Sequence, residues 1–360
     1  MRLGAKLPSS GPLPGELGVP NMARRLEQAG FASLWVSDHV VMPTTVVSRY
    51  PYSGDGAMTW VTDDPWYVAD LVALQGLIAH QRGEWFDRFR HELRRSQGKQ
   101  RLATAVFDAH LCVAEYLLYG PVPYAEVIAE AEELRRRATR AGALRGVAFA
   151  ATLVGEAALL SGDLERAERE LVEAVDLHRD IDAPAGEAHS LQRLAELRLF
   201  QGNREEARRL LAQALPLARW SVVARHLLQR IYGTMITAAG DAEEARLVVD
   251  RAEAAMGTSD RCMFCALMLA VPAAIACADV GDLEEARRHL RTAEESAAMW
   301  EGAAWPAALL EARAHLASAE GRDDEAVALT GQAAAMFRAA GHVLDAHRCE
   351  EAPASVRPVG

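Results

Sequence analysis

Alanine recurs at two fixed distances after a series of glycines, and this pattern of small apolar positions spans most of the chain. One alanine stands five residues and another stands twelve residues after each of five glycines, which are 40, 38, 41 and 40 residues apart. Two positions seven apart lie on one face of a helix, and alanine there lets a neighbouring helix approach closely. A self-similar period of this length predicts a solenoid of stacked helix pairs. The five glycines are Gly162, Gly202, Gly240, Gly281 and Gly321.

The residues around each glycine predict a tight turn between two antiparallel helices. Glycine suits the left-handed residue that ends a helix, and the Asp or Asn that follows four of the five suits the N-cap of the next helix. The residue five before each glycine is apolar, as the core between paired helices requires. These preceding residues are Ala157, Leu197, Met235, Ala276 and Leu316.

Residues 68–349 follow the helical pattern, and residues 350–360 are predicted to be a frayed tail. Residues 263–278 form an uncharged run of 16 residues, which raises the question of a membrane span. The run is short for a membrane span, is interrupted by Pro272 and ends in register with the Gly281 turn. We therefore interpret it as a buried repeat helix.

Residues 1–67 lie outside the repeat and predict a strand–helix–strand unit. Residues 2–7 and 31–36 are short apolar runs, and residues 19–28 have the pattern of an amphipathic helix. Strand–helix–strand is the opening of a parallel α/β fold, but no further alternation follows Tyr67. The predicted fold class is mostly α, a helical-repeat solenoid with a short, incomplete α/β segment at the amino terminus.

Charge and cysteine content narrow the classes of function. The net charge of −11 disfavours general binding to nucleic acids or acidic membrane surfaces. The first residues lack the basic start and apolar core of a secretory signal. Five cysteines in 360 residues fit a reducing compartment better than a disulfide framework. We expect a cytoplasmic protein with no direct contact to nucleic acid or membrane, and its oligomeric state stays open.

Three long stretches of the repeat region carry a family resemblance. They read CMFCALMLAVPAAIACADVGDLEEARRHL, AMWEGAAWPAALLEARAHLA and FRAAGHVLDAHRC. These stretches resemble the tetratricopeptide-like repeats of large ATP-binding transcriptional regulators of the LuxR type. The resemblance implies a tetratricopeptide-like solenoid over residues 68–349 and a role connected with transcriptional regulation. Those regulators also carry a nucleotide-binding module and a DNA-reading helix-turn-helix, and neither has a counterpart in these residues, since Gly98-Lys99-Gln100 lacks the pattern of a phosphate-binding loop.

The amino-terminal residues carry a second resemblance. The line LGAKLP…ARRLEQAGFASLWVSDHVVMP…DDPWY resembles the start of the luciferase-like flavin- or deazaflavin-dependent monooxygenases, which are (β/α)₈ barrels. Asp38 and His39 match the Asp-His pair that lies at the cofactor and substrate pocket of that family. The resemblance covers residues 1–67, whereas such a barrel needs about 250 residues. We interpret the segment as a truncated barrel fragment, and the junction near Tyr67 as either a natural recombination or a misjoined reading frame.

Asp38 and His39 are the candidate catalytic pair, and two interpretations of them are open. In the first, both are relics and the chain binds no cofactor, because half a site does not hold one. In the alternative, the chain is an oxidoreductase that binds a flavin or deazaflavin through its amino-terminal segment.

The spacing Cys262-x-x-Cys265 raises the question of a metal site. Structural zinc takes four ligands, and the other candidates, Cys277, His289 and Cys349, are scattered along the sequence. Free cysteine is also among the residues most often buried. We therefore predict buried thiols and no metal.

Large polar and aromatic residues lie on or near the first helix of several repeats, the helices that often line the concave groove of a solenoid. Aromatic and arginine side chains anchor many interfaces. The favoured function is a non-catalytic interaction scaffold that binds a protein, a peptide or a small effector along this groove. The candidate partner-binding residues are His189, Arg193, His226, Trp305 and His315.

Overall fold

The computed structural model describes residues 4–7, 19–31, 33–36, 118–219, 224–256 and 262–351. The chain divides into two compact units, Met1–Gln75 and Gly76–Gly360. Asp38, His39, the predicted junction near Tyr67 and the tail lie outside the described residues.

The described part of the first unit contains two short strands and one helix. They are β1 (Gly4–Leu7), α1 (Val19–Gln28) and β2 (Ser33–Val36). The strands pair in parallel, from Gly4 opposite Ser33 to Leu7 opposite Val36.

The described part of the second unit is helical, and each helix packs on the next one along the chain. The first helices of successive pairs are the odd-numbered ones from α3 onward. The helices are α2 (Tyr124–Ala141), α3 (Leu144–Ser161), α4 (Leu164–Asp180), α5 (Pro184–Phe200), α6 (Arg204–Arg219), α7 (Ala224–Thr237), α8 (Ala242–Met256), α9 (Leu267–Asp279), α10 (Leu283–Ala297), α11 (Ala304–Ala319), α12 (Asp323–Ala339) and α13 (Val343–Glu351).

The predicted turns are confirmed at four of the five glycines. Gly162, Gly202, Gly281 and Gly321 adopt φ of 88°, 74°, 78° and 75°, the left-handed conformation that ends a helix. Gly240 differs, because α7 already ends at Thr237 and Gly240 does not adopt a positive φ.

The Asp and Asn residues after the glycines act as N-caps. Asp163, Asn203, Asp241 and Asp282 each accept a hydrogen bond from the backbone N–H three residues on. These bonds satisfy one of the N–H groups left unpaired at the start of each following helix.

The alanine columns lie in the seams between helices, as predicted. All ten alanines, five and twelve residues after the glycines, are buried. The helix α9 is confirmed as a core helix that contains Pro272 in its interior. Among the described helices, α3 is the one long and apolar enough to cross a membrane, but 78% of its apolar window is buried inside the protein.

The helical unit closes on itself. The helix α3 packs on α13, the ring of Tyr119 stacks on Trp305 at 4.4 Å, and the Tyr124 hydroxyl lies 2.6 Å from His342 Nε2. Repeats that contact only their nearest neighbours would lack these contacts. As a result, the first helices of the pairs are arranged around a central cavity.

Candidate functional site

The cavity between the first helices, here called the central groove, has a volume of about 740 Å³. Its lining residues in α5, α7, α9 and α11 recur at helical spacing, so each of these first helices presents one face to the cavity. Its principal lining residues are Gln192, Arg193, Glu196, Phe200, Arg230, Gly233, Thr234, Met268, Val271, Ile275, Asp279, Trp305, Glu311, His315, His342, Asp345 and Arg348.

The floor of the groove is apolar and comes largely from α9. Met268, Val271, Pro272 and Ile275 follow the spacing of a single helix face and all line the cavity. The helix runs close to α7, because a Cβ built on Gly233 would lie 2.0 Å from the Met268 carbonyl oxygen. Glycine at position 233 therefore sets how closely these two walls approach.

Aromatic rings form the wall near α11. Trp305 stacks on Tyr119, and Trp300 meets Tyr119 edge to face with ring centroids 6.3 Å apart. The indole Nε1 of Trp305 is buried and has no hydrogen-bond partner among the described residues, and the same holds for Oε1 of the buried Gln192. Both residues contribute other atoms to the lining of the groove.

Charged groups at the end of the groove pair with one another. Arg348 forms two bonds to Glu311, of 2.9 and 2.7 Å, and one of 2.7 Å to Asp345. Burial alone would raise the pKa of Asp345, but Arg348 and His342 outweigh it and lower that pKa to about 2.

His315 lies in the same region and is paired with a carboxylate. Its Nδ1 lies 2.7 Å from Asp279 Oδ1. Burial disfavours the charged imidazolium, but the bond and charge of Asp279, with a smaller contribution from Glu311, raise the pKa of His315 above its ordinary value. The ring is therefore held charged over a wider pH range than a free histidine.

Behind the groove lies a buried ionic cluster centred on Glu156. This carboxylate contacts His189 Nε2 at 2.7 Å and Arg193 Nε at 2.6 Å. Arg193 also donates through Nη1 to Glu196 Oε2 at 2.7 Å. Nη1 of Arg230 lies 3.2 Å from His189 Nδ1. The cluster links α3, α5 and α7, so it fixes the relative positions of three first helices.

The fully buried Glu156 is ionised in this cluster. Burial would raise its pKa, but contact with His189 and the positive charges of Arg193 and Arg230 lower it to about 2. Sequence reasoning overlooked this residue, although a lone carboxylate in the apolar helix α3 is a usable signal.

Three of the five predicted partner-binding residues line the central groove, and two do not. Arg193, Trp305 and His315 line the central groove. His189 is buried behind it in the ionic cluster. His226 does not line it and instead lies against Cys265, with Nδ1 and Sγ 3.5 Å apart.

Two groups of side chains in the described part of the chain have the composition of a metal site. One contains His226, Cys262 and Cys265, and the other contains Glu253, Glu285 and His289. The catalytic prediction for Asp38 and His39 stays a prediction, because both lie outside the described residues. Comparison with known proteins adds no family: no protein-family model matches the chain, and no curated protein matches it.

Proposed function

We propose that the protein is a non-catalytic scaffold of tetratricopeptide-like repeats that binds a protein segment, a peptide or a small effector in the central groove. The observation that carries this proposal is the groove itself, a cavity of about 740 Å³ lined by consecutive first helices. Ligand sites in proteins commonly have volumes of roughly 300–1,000 Å³.

The chemistry of the groove also supports a binding role. Ligand sites combine an apolar surface with a few polar groups that orient the ligand. Here the floor on α9 is apolar, and polar residues such as Gln192, Thr234 and His315 also line the cavity.

A role connected with transcriptional regulation follows from the resemblance to LuxR-type regulators, in which such repeats adjoin other modules. The acidic net charge of −11 favours action through a protein partner over direct contact with nucleic acid.

The test compares two substitutions of an apolar residue by arginine. Ile275→Arg places a charge on the half-buried floor of the groove, and Leu247→Arg places one on the 60% exposed surface of α8. Proteins, peptides and small molecules retained by the full chain are identified by mass spectrometry. We expect Ile275→Arg to lose the ligand and Leu247→Arg to keep it.

Two results would contradict the proposal. Equal retention of all ligands by both variants would place binding outside the groove. Stoichiometric flavin or deazaflavin absorbance in the purified full chain would instead favour the oxidoreductase alternative.

A further inference from the structure

His226, Cys262 and Cys265 bring three metal-binding atoms together in the interior. His226 lies in the first turn of α7, and the two cysteines lie in the turn that precedes α9. Their ligand atoms are all within 4.8 Å of one another, and all three residues are buried. The sequence spacing concealed this cluster, because His226 belongs to the preceding repeat.

The turn between the cysteines directs both side chains to one side. The N–H of Cys265 donates to the carbonyl of Cys262 at 3.2 Å, so the two residues are related by a single tight turn. The helix α9 begins two residues later at Leu267. Both thiols therefore lie next to the amino-terminal end of α9.

This turn is held in place from two directions. On the α7 side, Gln229 Nε2 donates to the Cys262 carbonyl at 3.1 Å. On the α10 side, Trp300 Nε1 donates to the Phe264 carbonyl at 2.9 Å, and the Trp300 and Phe264 rings stack at 3.9 Å. Ligands held by their surroundings in this way need little reorganisation to bind an ion.

We infer that His226, Cys262 and Cys265 bind one zinc ion per chain. With Zn–S near 2.3 Å and Zn–N near 2.0–2.1 Å, a tetrahedral site places nitrogen and sulfur about 3.6 Å apart. The separation between His226 Nδ1 and Cys265 Sγ is 3.5 Å. The site therefore differs from structural zinc sites with four protein ligands, and water would fill its fourth tetrahedral position as it does in the three-ligand zinc sites of enzymes.

Charge selects zinc over the other thiophilic ion, Cu⁺. Two thiolates and a neutral imidazole carry a charge of −2, so Zn²⁺ gives a neutral site and Cu⁺ leaves one negative charge. An uncompensated charge is costly in the interior. The cluster of Glu253, Glu285 and His289 is a poorer candidate, because the guanidinium of Arg288 already bridges its two carboxylates.

Bound zinc would join α7 to the turn before α9 and so clamp two neighbouring repeats. Metal binding to the folded chain adds directly to folding free energy. Removal of zinc by a chelator should therefore lower the melting temperature of the wild-type chain.

The experiment uses the full chain without a histidine tag, purified under reducing conditions. Elemental analysis is expected to give about one zinc per chain for wild type and for Cys277→Ser and Cys349→Ser, which change buried cysteines outside the cluster. For Cys265→Ser and His226→Gln, at least a tenfold lower zinc content is expected. Zinc-free wild-type protein that also fails to bind added zinc would overturn the proposal, as would full zinc retention in both cluster variants.

A second measurement avoids any dependence on the folding of variants. Co²⁺ added to zinc-free wild-type protein should give the d–d bands of a tetrahedral site and the charge-transfer absorption of cobalt–thiolate bonds, and zinc should displace it. Cobalt spectra without thiolate absorption, copper in place of zinc, or a Cys262–Cys265 disulfide in the reduced preparation would each contradict the zinc assignment.

Discussion

The hydroxyl of Tyr124 lies 2.6 Å from Nε2 of His342, although 218 residues separate them. The same hydroxyl donates to the carbonyl of Leu118 at 2.9 Å. Tyr124 begins α2, and His342 immediately precedes the last helix, α13. This contact closes the helical unit beside His342, which lines the central groove.

Replacing Tyr124 by phenylalanine tests the closure. Loss of the hydroxyl removes both bonds and leaves the buried His342 ring without that partner, so we expect unfolding free energy to fall by about 1 kcal/mol. Hydrogen exchange in α13 should become faster, because this helix depends on the contact.

Tyr232→Phe is the matched control for that substitution. This substitution also removes a hydroxyl contact, the 3.2 Å hydrogen bond from Arg219. That bond joins the neighbouring helices α6 and α7 and takes no part in the closure. Exchange in α13 should be unchanged in this variant. Equal exchange rates for α13 in both variants would show that the Tyr124 contact does not hold the closure.

Two glycine-to-alanine substitutions should change stability in opposite directions. A Cβ at position 233 would lie 2.0 Å from the Met268 carbonyl oxygen, so Gly233→Ala must push α7 and α9 apart. We expect a loss of about 3 kcal/mol or more. A Cβ at position 331 meets nothing within 4 Å on the helix α12, and alanine there should gain about 0.5–1 kcal/mol. Urea unfolding measures both, and a tolerated Gly233→Ala would refute the close approach.

The alanine seam makes a second comparison possible. Ala286 is 1% exposed, so Ala286→Arg inserts an unpaired charge between helices and should cost about 3 kcal/mol or more. Arg288 is only partly exposed, and its guanidinium bonds Glu285 at 2.9 Å and also contacts Glu253. Arg288→Ala should therefore cost about 1 kcal/mol rather than nothing. Equal melting temperatures for the two variants would show that Ala286 does not lie in the buried seam between helices.

The helix pairs were predictable because their signals are local and repeated. Gly281 and Asp282 define a turn through their own backbone preferences, and Ala286 and Ala293 define a seam through their spacing. The closure was not predictable. It depends on small rotations that accumulate over all repeats, and no single residue records them.

The side-chain clusters were less predictable than the helix pairs but more predictable than the closure. Glu156 and Arg193 are 37 residues apart, and His226 and Cys265 are 39 apart, in each case about one repeat. Residues one period apart occupy equivalent places on neighbouring helices, so a search at this offset finds both pairs. Scanning for motifs along the sequence finds neither, because it considers only residues that are close in the chain.

His178 should make stability fall between neutral and mildly acidic pH. It is buried, and its Nε2 lies 3.3 Å from Thr152 Oγ1. Burial, with smaller effects of His189 and Arg145, lowers its pKa from 6.5 to about 4. Between these values the unfolded chain binds a proton that the folded chain does not, so the stabilisation present above pH 6.5 is lost as the pH falls toward 4. The loss from this residue is on the order of 3 kcal/mol.

The measurement is urea unfolding from pH 7 to pH 4.5 for wild type, His178→Gln and His347→Gln. This range avoids protonation of Glu156, whose pKa in the folded protein is about 2. We expect wild type and His347→Gln, which changes an exposed histidine, to lose stability in parallel as the pH falls. The curve of His178→Gln should be flatter, because glutamine has no proton to gain. If all three curves have the same slope, His178 is protonated equally in the folded and unfolded chains, and its burial does not control the acid sensitivity of the fold.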